Sequence, residues 1–172
     1  MSGVFTELRY GDWQVGAVGL VWGGSLVSRA IQAGETLAGE GDHPPSHAIV
    51  VGDDGIIEAA VPRIRVRPYT EYPIDRVRMF LPDVPLSDRL LAVLWAKKEW
   101  VGKDYGYWEI LGMASVELER ALGCWPKWNW ARETRAKFCS QLAVDVLHKE
   151  GVELSAAADV TDPAGLLKLV TS

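Results

Sequence analysis

The segment Lys137-Phe138-Cys139-Ser140-Gln141-Leu142-Ala143-Val144-Asp145-Val146-Leu147 places a cysteine directly before a helical pattern of apolar residues. Leu142, Val146 and Leu147 recur at the spacing of an amphipathic helix, which puts Cys139 in its first turn. Unpaired backbone N–H groups and the positive end of the helix dipole favour a thiolate at that position. Because the thiolate is the form that attacks a carbonyl carbon, the segment indicates a nucleophile that needs a nearby base.

The candidate bases are three histidines, His43, His47 and His148. His47 stands at the start of an apolar strand, His47–Val51. His148 lies beside the Gly151 stop of the cysteine helix, where a basic side chain complements the helix dipole. His47 is therefore the predicted base.

A second apolar strand, Ile56–Val61, follows His47–Val51 after Gly52-Asp53-Asp54-Gly55, a strong hairpin signal. A regular hairpin pairs Ile49 with Glu58, so His47 and Glu58 become diagonal neighbours on one face, roughly 7–8 Å apart at the backbone. A carboxylate beside an imidazole orients the ring and favours its charged form. The hairpin therefore predicts a third site residue, Glu58.

The remaining patterns predict an α+β fold with helices packed on one side of a largely antiparallel sheet. No internal repeat or linker interrupts the chain, so residues 1–172 form one predicted domain. The other predicted elements are strands at 13–21, 62–67 and 76–81, and helices at 25–31, from Ser87 or Asp88 to near Gly102, at about 108–122, and from near Thr161.

The predicted strand Pro62–Arg67 alternates apolar residues with Arg63, Arg65 and Arg67. Arginines at this spacing lie on one face of a strand. A solvated sheet surface is the favoured interpretation, and an anionic ligand site is the alternative.

A Trp-rich segment, about 104–137, separates the predicted strands from the cysteine helix. Its aromatic residues favour core or lid packing. A stacking surface for sugar rings or an anchor at a membrane interface is the alternative. The rings are Tyr105, Tyr107, Trp108, Trp125, Trp128 and Trp130.

Composition narrows the class of protein. The 172 residues are 48% hydrophobic and carry a net charge of −5, which argues against nucleic acid as the main partner. No apolar run is long enough to cross a bilayer, and the first residues do not form a secretory signal, so we expect synthesis in the cytoplasm. The two cysteines, Cys124 and Cys139, are expected to be free thiols.

Several short blocks together resemble one family, the circularly permuted NlpC-type papain-like enzymes of the YiiX and YaeF group. The resemblance spans about residues 10–167. It is carried by Gly11-Asp12, Ser46-His47-Ala48-Ile49-Val50, Gly52-Asp53-Asp54-Gly55-Ile56-Ile57-Glu58-Ala59, Gly102-Lys103-Asp104-Tyr105, Phe138-Cys139-Ser140-Gln141-Leu142 and Thr161-Asp162-Pro163.

The resemblance implies a papain-like fold in which the cysteine helix follows the histidine strand. It implies Cys139 as nucleophile, His47 as base, Glu58 as the orienting residue and Tyr105 as a substrate-binding residue, with no metal or cofactor. The family often has an aspartate after that tyrosine, whereas Gly106-Tyr107 follows here, so Tyr107 competes with Tyr105 for the role. The Trp-rich segment has no counterpart that we can place.

These observations lead to the hypothesis of a cysteine amidase or peptidase that cleaves an amide bond, with peptidoglycan peptides as candidate substrates. A wall-directed enzyme without a leader would be released by lysis, carried on a phage particle or exported by a dedicated system. Two alternatives stay open: an acyltransferase or lipid amide or ester hydrolase on the same fold, and a non-catalytic structural or binding domain, for example of a phage particle. The oligomeric state is not predicted.

Overall fold

The computed structural model describes residues 5–9, 11–23, 36, 44–72, 76–105, 138–154 and 161–171. Within these residues the chain forms six strands, three α-helices and one short 3-10 helix, Tyr69–Glu71. None of the described helices is long and apolar enough to cross a membrane. The strands are β1 (Phe5–Leu8), β2 (Val18–Val21), β3 (His47–Val51), β4 (Ile56–Ala60), β5 (Arg63–Arg67) and β6 (Val77–Pro82). The helices are α1 (Leu86–Trp100), α2 (Cys139–Lys149) and α3 (Pro163–Thr171).

The six strands form one sheet in the order β1-β6-β2-β3-β4-β5, and every neighbouring pair is antiparallel. The strands β3, β4 and β5 are consecutive, whereas β6 returns to lie between β1 and β2. The α+β prediction with an antiparallel sheet is confirmed.

Alternation along the strands divides the buried residues into two groups. One face of the sheet, here called the helix face, packs against apolar side chains of α1, α2 and α3. Its strand residues are Val18, Leu20, Ala48, Val50, Ile57, Ala59, Ile64 and Phe80. The opposite face, here called the second face, carries Val21, Ile49, Val51, Ile56, Val77 and Met79 and is packed by Tyr72. The predicted packing of helices on one side is confirmed for the described helices.

One predicted strand is shorter than expected. The sequence predicts a strand over 13–21, but β2 begins only at Val18. The preceding residues form a turn in which the N–H of Ala17 donates to the carbonyl of Gln14 at 3.0 Å. Gly16 adopts a φ of 83°, which only glycine takes at little cost.

The other predicted elements agree with the described structure or lie outside it. The helix predicted from Ser87 or Asp88 runs from Leu86 to Trp100, directly after Pro85. The cysteine helix and the last helix are α2 and α3. The helices predicted at 25–31 and 108–122, Tyr107, Cys124 and the Trp-rich segment beyond Tyr105 lie outside the described residues.

Candidate active site

The predicted base, His47, is the first residue of β3. In the ladder it lies opposite Val21 of β2, and it shares the strand parity of Ile49 and Val51, so its side chain belongs to the second face. A fifth of the side chain, 20%, is exposed. His47 therefore stands at the end of the sheet, partly open to a ligand.

The hairpin brings Glu58 to His47 as predicted. The ladder pairs Ile49 with Glu58, which makes His47 and Glu58 diagonal neighbours. Oε2 of Glu58 lies 3.4 Å from Nε2 of His47. The carboxylate thus contacts one ring nitrogen and leaves Nδ1 as the nitrogen available to another partner.

Glu58 also has three partners that the sequence analysis did not identify as site residues. Its Oε1 accepts hydrogen bonds from Nε of Arg65 at 2.7 Å and from Nη1 of Arg67 at 3.3 Å. The hydroxyl of Tyr72 donates to Oε2, the oxygen that faces His47. The buried carboxylate is therefore surrounded by donors on both oxygens.

A sequence signal existed for one of these partners. The connection Val61-Pro62 is short, and a tight hairpin there pairs Glu58 with Arg65, as the ladder does. The face of β5 that carries Arg63, Arg65 and Arg67 is therefore only partly a solvated surface, because Arg65 and Arg67 bind Glu58. Tyr72 carried no such signal, since it reaches Glu58 through the irregular segment after β5.

These donors control the ionisation of Glu58. Burial alone would raise the pKa of this carboxyl group, but hydrogen bonds from His47, Tyr72 and Arg65 lower it to about 2. The pKa of Tyr72 is raised far above its ordinary value by burial and by the carboxylate. Glu58 is therefore ionised and Tyr72 is a neutral donor throughout the physiological pH range.

The predicted nucleophile, Cys139, is the first residue of α2 and is 5% exposed. Phe138 caps the helix in an extended conformation without a side-chain cap hydrogen bond, and the N–H of Leu142 makes the bond back to the Phe138 carbonyl at 3.1 Å. The first N–H groups of the helix precede that bond and face the end where the thiol lies. Cys139 is a free cysteine.

Helix α2 packs on the helix face, against Ala48 and Val50 of β3. The hydroxyl of Ser140 donates to the carbonyl of Thr161 at 2.6 Å, which ties the first turn of α2 to the segment before α3. Both ends of this hydrogen bond are buried. The position of the thiol is therefore held by the body of the fold.

The thiol and the imidazole meet at the end of β3. Cys139 and His47 influence each other's pKa through charge and hydrogen bonding, and the backbone groups of Ala48 and Ser140 also favour the thiolate. The β3–β4 pairs end at Ile49 and Glu58, so Ala48 belongs to no further pair of that ladder, and its backbone N–H helps to lower the pKa of Cys139. The site thus joins the two faces of the sheet around the end of β3.

The pair shifts both ionisations toward the charged forms. Burial opposes the thiolate, but the charge and hydrogen bond of His47 lower the pKa of Cys139 below its usual value. Burial likewise opposes the imidazolium, but Cys139 and Glu58 raise the pKa of His47 to about 9. The arrangement stabilises a thiolate–imidazolium pair at neutral pH.

Tyr105, the predicted substrate-binding residue, lies beside the start of β5. Its N–H donates to the carbonyl of Pro62 at 3.0 Å, and its half-buried side chain packs against the core on the helix face. Its contact with substrate stays a prediction.

The described residues contain no group of three or more His, Cys, Asp or Glu side chains placed to hold a metal ion. Comparisons with known proteins found no matching family model, no matching curated protein and no matching solved structure.

Proposed function

We propose that the protein is a papain-like cysteine hydrolase that cleaves an amide bond. One observation carries the proposal: Nε2 of His47 lies 3.4 Å from the buried carboxylate of Glu58, and the charge and hydrogen bonding of His47 lower the pKa of Cys139 at the start of a helix. Nucleophile, base and orienting group are the parts of a thiol acyl-transfer site. The chain order of histidine strand, carboxylate strand and cysteine helix supports the circularly permuted version of the fold.

The first step forms an acyl-enzyme. The Cys139 thiolate attacks the carbonyl carbon, and the carbonyl oxygen becomes an oxyanion beside the first N–H groups of α2, which stabilise negative charge. Nδ1 of His47 gives its proton to the leaving amine as the C–N bond breaks. The products of this step are a free amine and a thioester on Cys139.

The second step restores the enzyme. Neutral His47 takes a proton from water, and the resulting hydroxide attacks the thioester through a second oxyanion. The C–S bond then breaks and the carboxylic acid leaves. Cys139 is left as a thiolate and His47 keeps the proton that it took from water, so the thiolate–imidazolium pair is restored. Glu58 keeps Nε2 of His47 fixed through both steps, because Arg65 and Tyr72 fix the carboxylate itself.

The first test is the pH dependence of Cys139 alkylation by iodoacetamide, with Cys124→Ser in every variant so that one thiol reports. The apparent pKa of the reaction should lie well below the reference of about 8.5, since His47 remains protonated up to about pH 9 and stabilises the thiolate below that pH. Alkylation should decline only in acid, where the thiolate is protonated. His47→Ala should return the apparent pKa to about 8.5 or above.

A matched control is His148→Ala, which removes the histidine near the other end of α2. It should leave the alkylation profile of the parent unchanged. An ordinary pKa in the parent, unchanged in His47→Ala, would contradict the proposed function. If Cys139 alkylation has a low apparent pKa that depends on His47, peptide and acyl amides are the substrates to screen. Cys139→Ser is the inactive reference.

A further inference from the structure

A cationic group lies in line with His47 at the same end of the sheet. The ladders pair Val77 with Val21, Val21 with His47, and Ala60 with Arg63. The β3–β4 pairs end at Ile49 and Glu58, and His47 and Ala60 each lie two residues beyond that last pair, on the same face of the sheet. Arg63, which pairs with Ala60, therefore starts from the same face and the same end of the sheet as His47, two strands away.

The space between His47 and Arg63 is bounded by a small side chain. Ala60 is half-buried and ends at its methyl group, so it does not separate the two larger residues. The other neighbours of His47 in this row, Val21 and Val77, are buried and apolar. A ligand at His47 thus meets an apolar surface on one side and a guanidinium on the other.

Two arginines at this end of the sheet, Arg63 and Arg65, have guanidinium N–H groups that can bind a ligand. Arg63 has 67% of its side chain exposed, and Arg65 has 46%. Arg65 uses Nε to hold Glu58, and none of the described residues accepts a hydrogen bond from its two Nη groups. Arg67 differs, because Glu71 and Glu58 occupy its guanidinium.

The carboxylate of Asp104 lies near Arg63, where a carboxylate of the substrate would bind. Oδ1 of Asp104 lies 3.8 Å from Nε of Arg63, too far for a hydrogen bond, and 85% of the Asp104 side chain is exposed. The backbone bridge between the two residues keeps Asp104 at this edge of β5. An incoming carboxylate would compete with a weak contact that water screens.

We propose that Arg63, together with the free end of Arg65, binds a carboxylate of the substrate, so that the preferred substrate is an acyl compound with an anionic group near the bond attacked by Cys139. The planar guanidinium fork binds both oxygens of a carboxylate, which gives direction as well as attraction. The inference rests on the proposed function, since it takes Cys139 as the reacting group. It assigns Arg63 and Arg65 of β5 to an anionic ligand site, the alternative to a solvated surface in the sequence analysis.

Two alkylating agents of nearly the same shape test the proposal without a known substrate. N-iodoacetylglycine carries a carboxylate, and N-iodoacetylglycinamide carries a neutral amide in its place. In the Cys124→Ser background at pH 7 and low salt, the carboxylate reagent should alkylate Cys139 faster by roughly threefold to fivefold, the value of an exposed ion pair of favourable geometry. Added salt should reduce the ratio.

Three variants separate the arginine effect from the charge of His47. Arg63→Gln should lower the ratio of the two rates, and Asp104→Asn should raise it by removing the competing carboxylate. Arg78→Gln is the matched control, because Arg78 is 44% exposed and pairs with Glu7 of β1 near the far edge of the sheet. It should leave the ratio unchanged.

Equal rates for the two reagents, or the same ratio in the parent and in Arg63→Gln, would overturn the carboxylate site. Failure of the proposed function gives a different result, since the neutral reagent would itself react slowly and with an ordinary pH profile. Because Arg63 and Asp104 are exposed, both variants should keep the thermal unfolding midpoint of the parent, which is measured alongside the rates.

Discussion

Glu58 and Glu150 are equally buried but are treated in opposite ways by the fold. Glu58 is 2% exposed and Glu150 is 3% exposed. Donors contact both oxygens of Glu58, whereas neither oxygen of Glu150 has a hydrogen-bond partner among the described residues. Burial raises the pKa of Glu150 to about 8 despite the nearby charge of Arg89, while the pKa of Glu58 falls to about 2.

The local backbone accounts for the position of Glu150. It follows the last residue of α2, and its N–H donates to the carbonyl of Val146 at 2.9 Å. A Cβ at Gly16 would come within 2.5 Å of Oε1 of Glu150 and within 2.7 Å of Cβ of Arg89, so only glycine lets these side chains pack there. Burial therefore does not determine the charge of a carboxyl group in this protein; the donors built around it do.

The largest expected effect is that of Glu58→Gln. The substitution keeps the shape but leaves Tyr72 and His47 without their carboxylate and removes the partner of the half-exposed Arg65, which should lower the free energy of unfolding at pH 7 by about 3 kcal/mol. Urea unfolding followed by circular dichroism measures the change.

The stability that Glu58 contributes depends on pH. Its pKa is lower in the folded protein than the ordinary value of 4.5, so its stabilisation is complete above pH 4.5 and is lost as the pH falls toward 2. The stability difference between the wild type and Glu58→Gln should therefore shrink between pH 4.5 and 2. A constant difference would show that the carboxylate is not the group responsible.

A smaller effect of opposite sign is expected for Glu150→Gln. Because the pKa of Glu150 is raised in the folded protein, the acid destabilises the fold increasingly as the pH rises from 4.5 to about 8. The substitution should raise the free energy of unfolding by about 2 kcal/mol near pH 8 and change it little at pH 4.5. Equal destabilisation by Glu58→Gln and Glu150→Gln would contradict the opposite effects proposed for the two carboxyl groups.

The smallest effect should come from Tyr72→Phe. It removes one of the donors to Glu58 and should cost about 1 kcal/mol of stability. Because the carboxylate loses a donor on the oxygen that faces His47, the apparent pKa of Cys139 alkylation should also change. The profile is the decisive readout, because a purely structural role of Tyr72 would not change it.

Tyr69→Phe is the matched control for this substitution. The hydroxyl of Tyr69 donates to the carbonyl of Gly52 at 2.8 Å, on a neutral partner away from Glu58. Its loss should lower stability without changing the profile. Identical profiles in the wild type and Tyr72→Phe would remove Tyr72 from the positioning of the site.

Much of the candidate site was accessible from local sequence patterns. The hairpin signal between His47 and Glu58 predicted the register that the ladder has, because side chains alternate regularly on a strand and the turn sets the pairing. The apolar spacing after Cys139 predicted α2 and the place of the thiol at its start. The strand predicted at 13–21 was too long, since the turn before Val18 depends on a glycine conformation that hydropathy does not reveal.

The sequence by itself determined the local elements and the relation of His47 to Glu58, because both depend on residues close together in the chain. The packing of distant segments brought Cys139 from the helix face to His47, placed Tyr72 on Glu58 and left the carboxyl group of Glu150 buried without a hydrogen-bond partner among the described residues. Those relations depend on which surfaces pack together and where a ladder ends, which residue patterns within single elements do not specify. The pKa values follow the packing, so the chemistry of the site was decided at the same level.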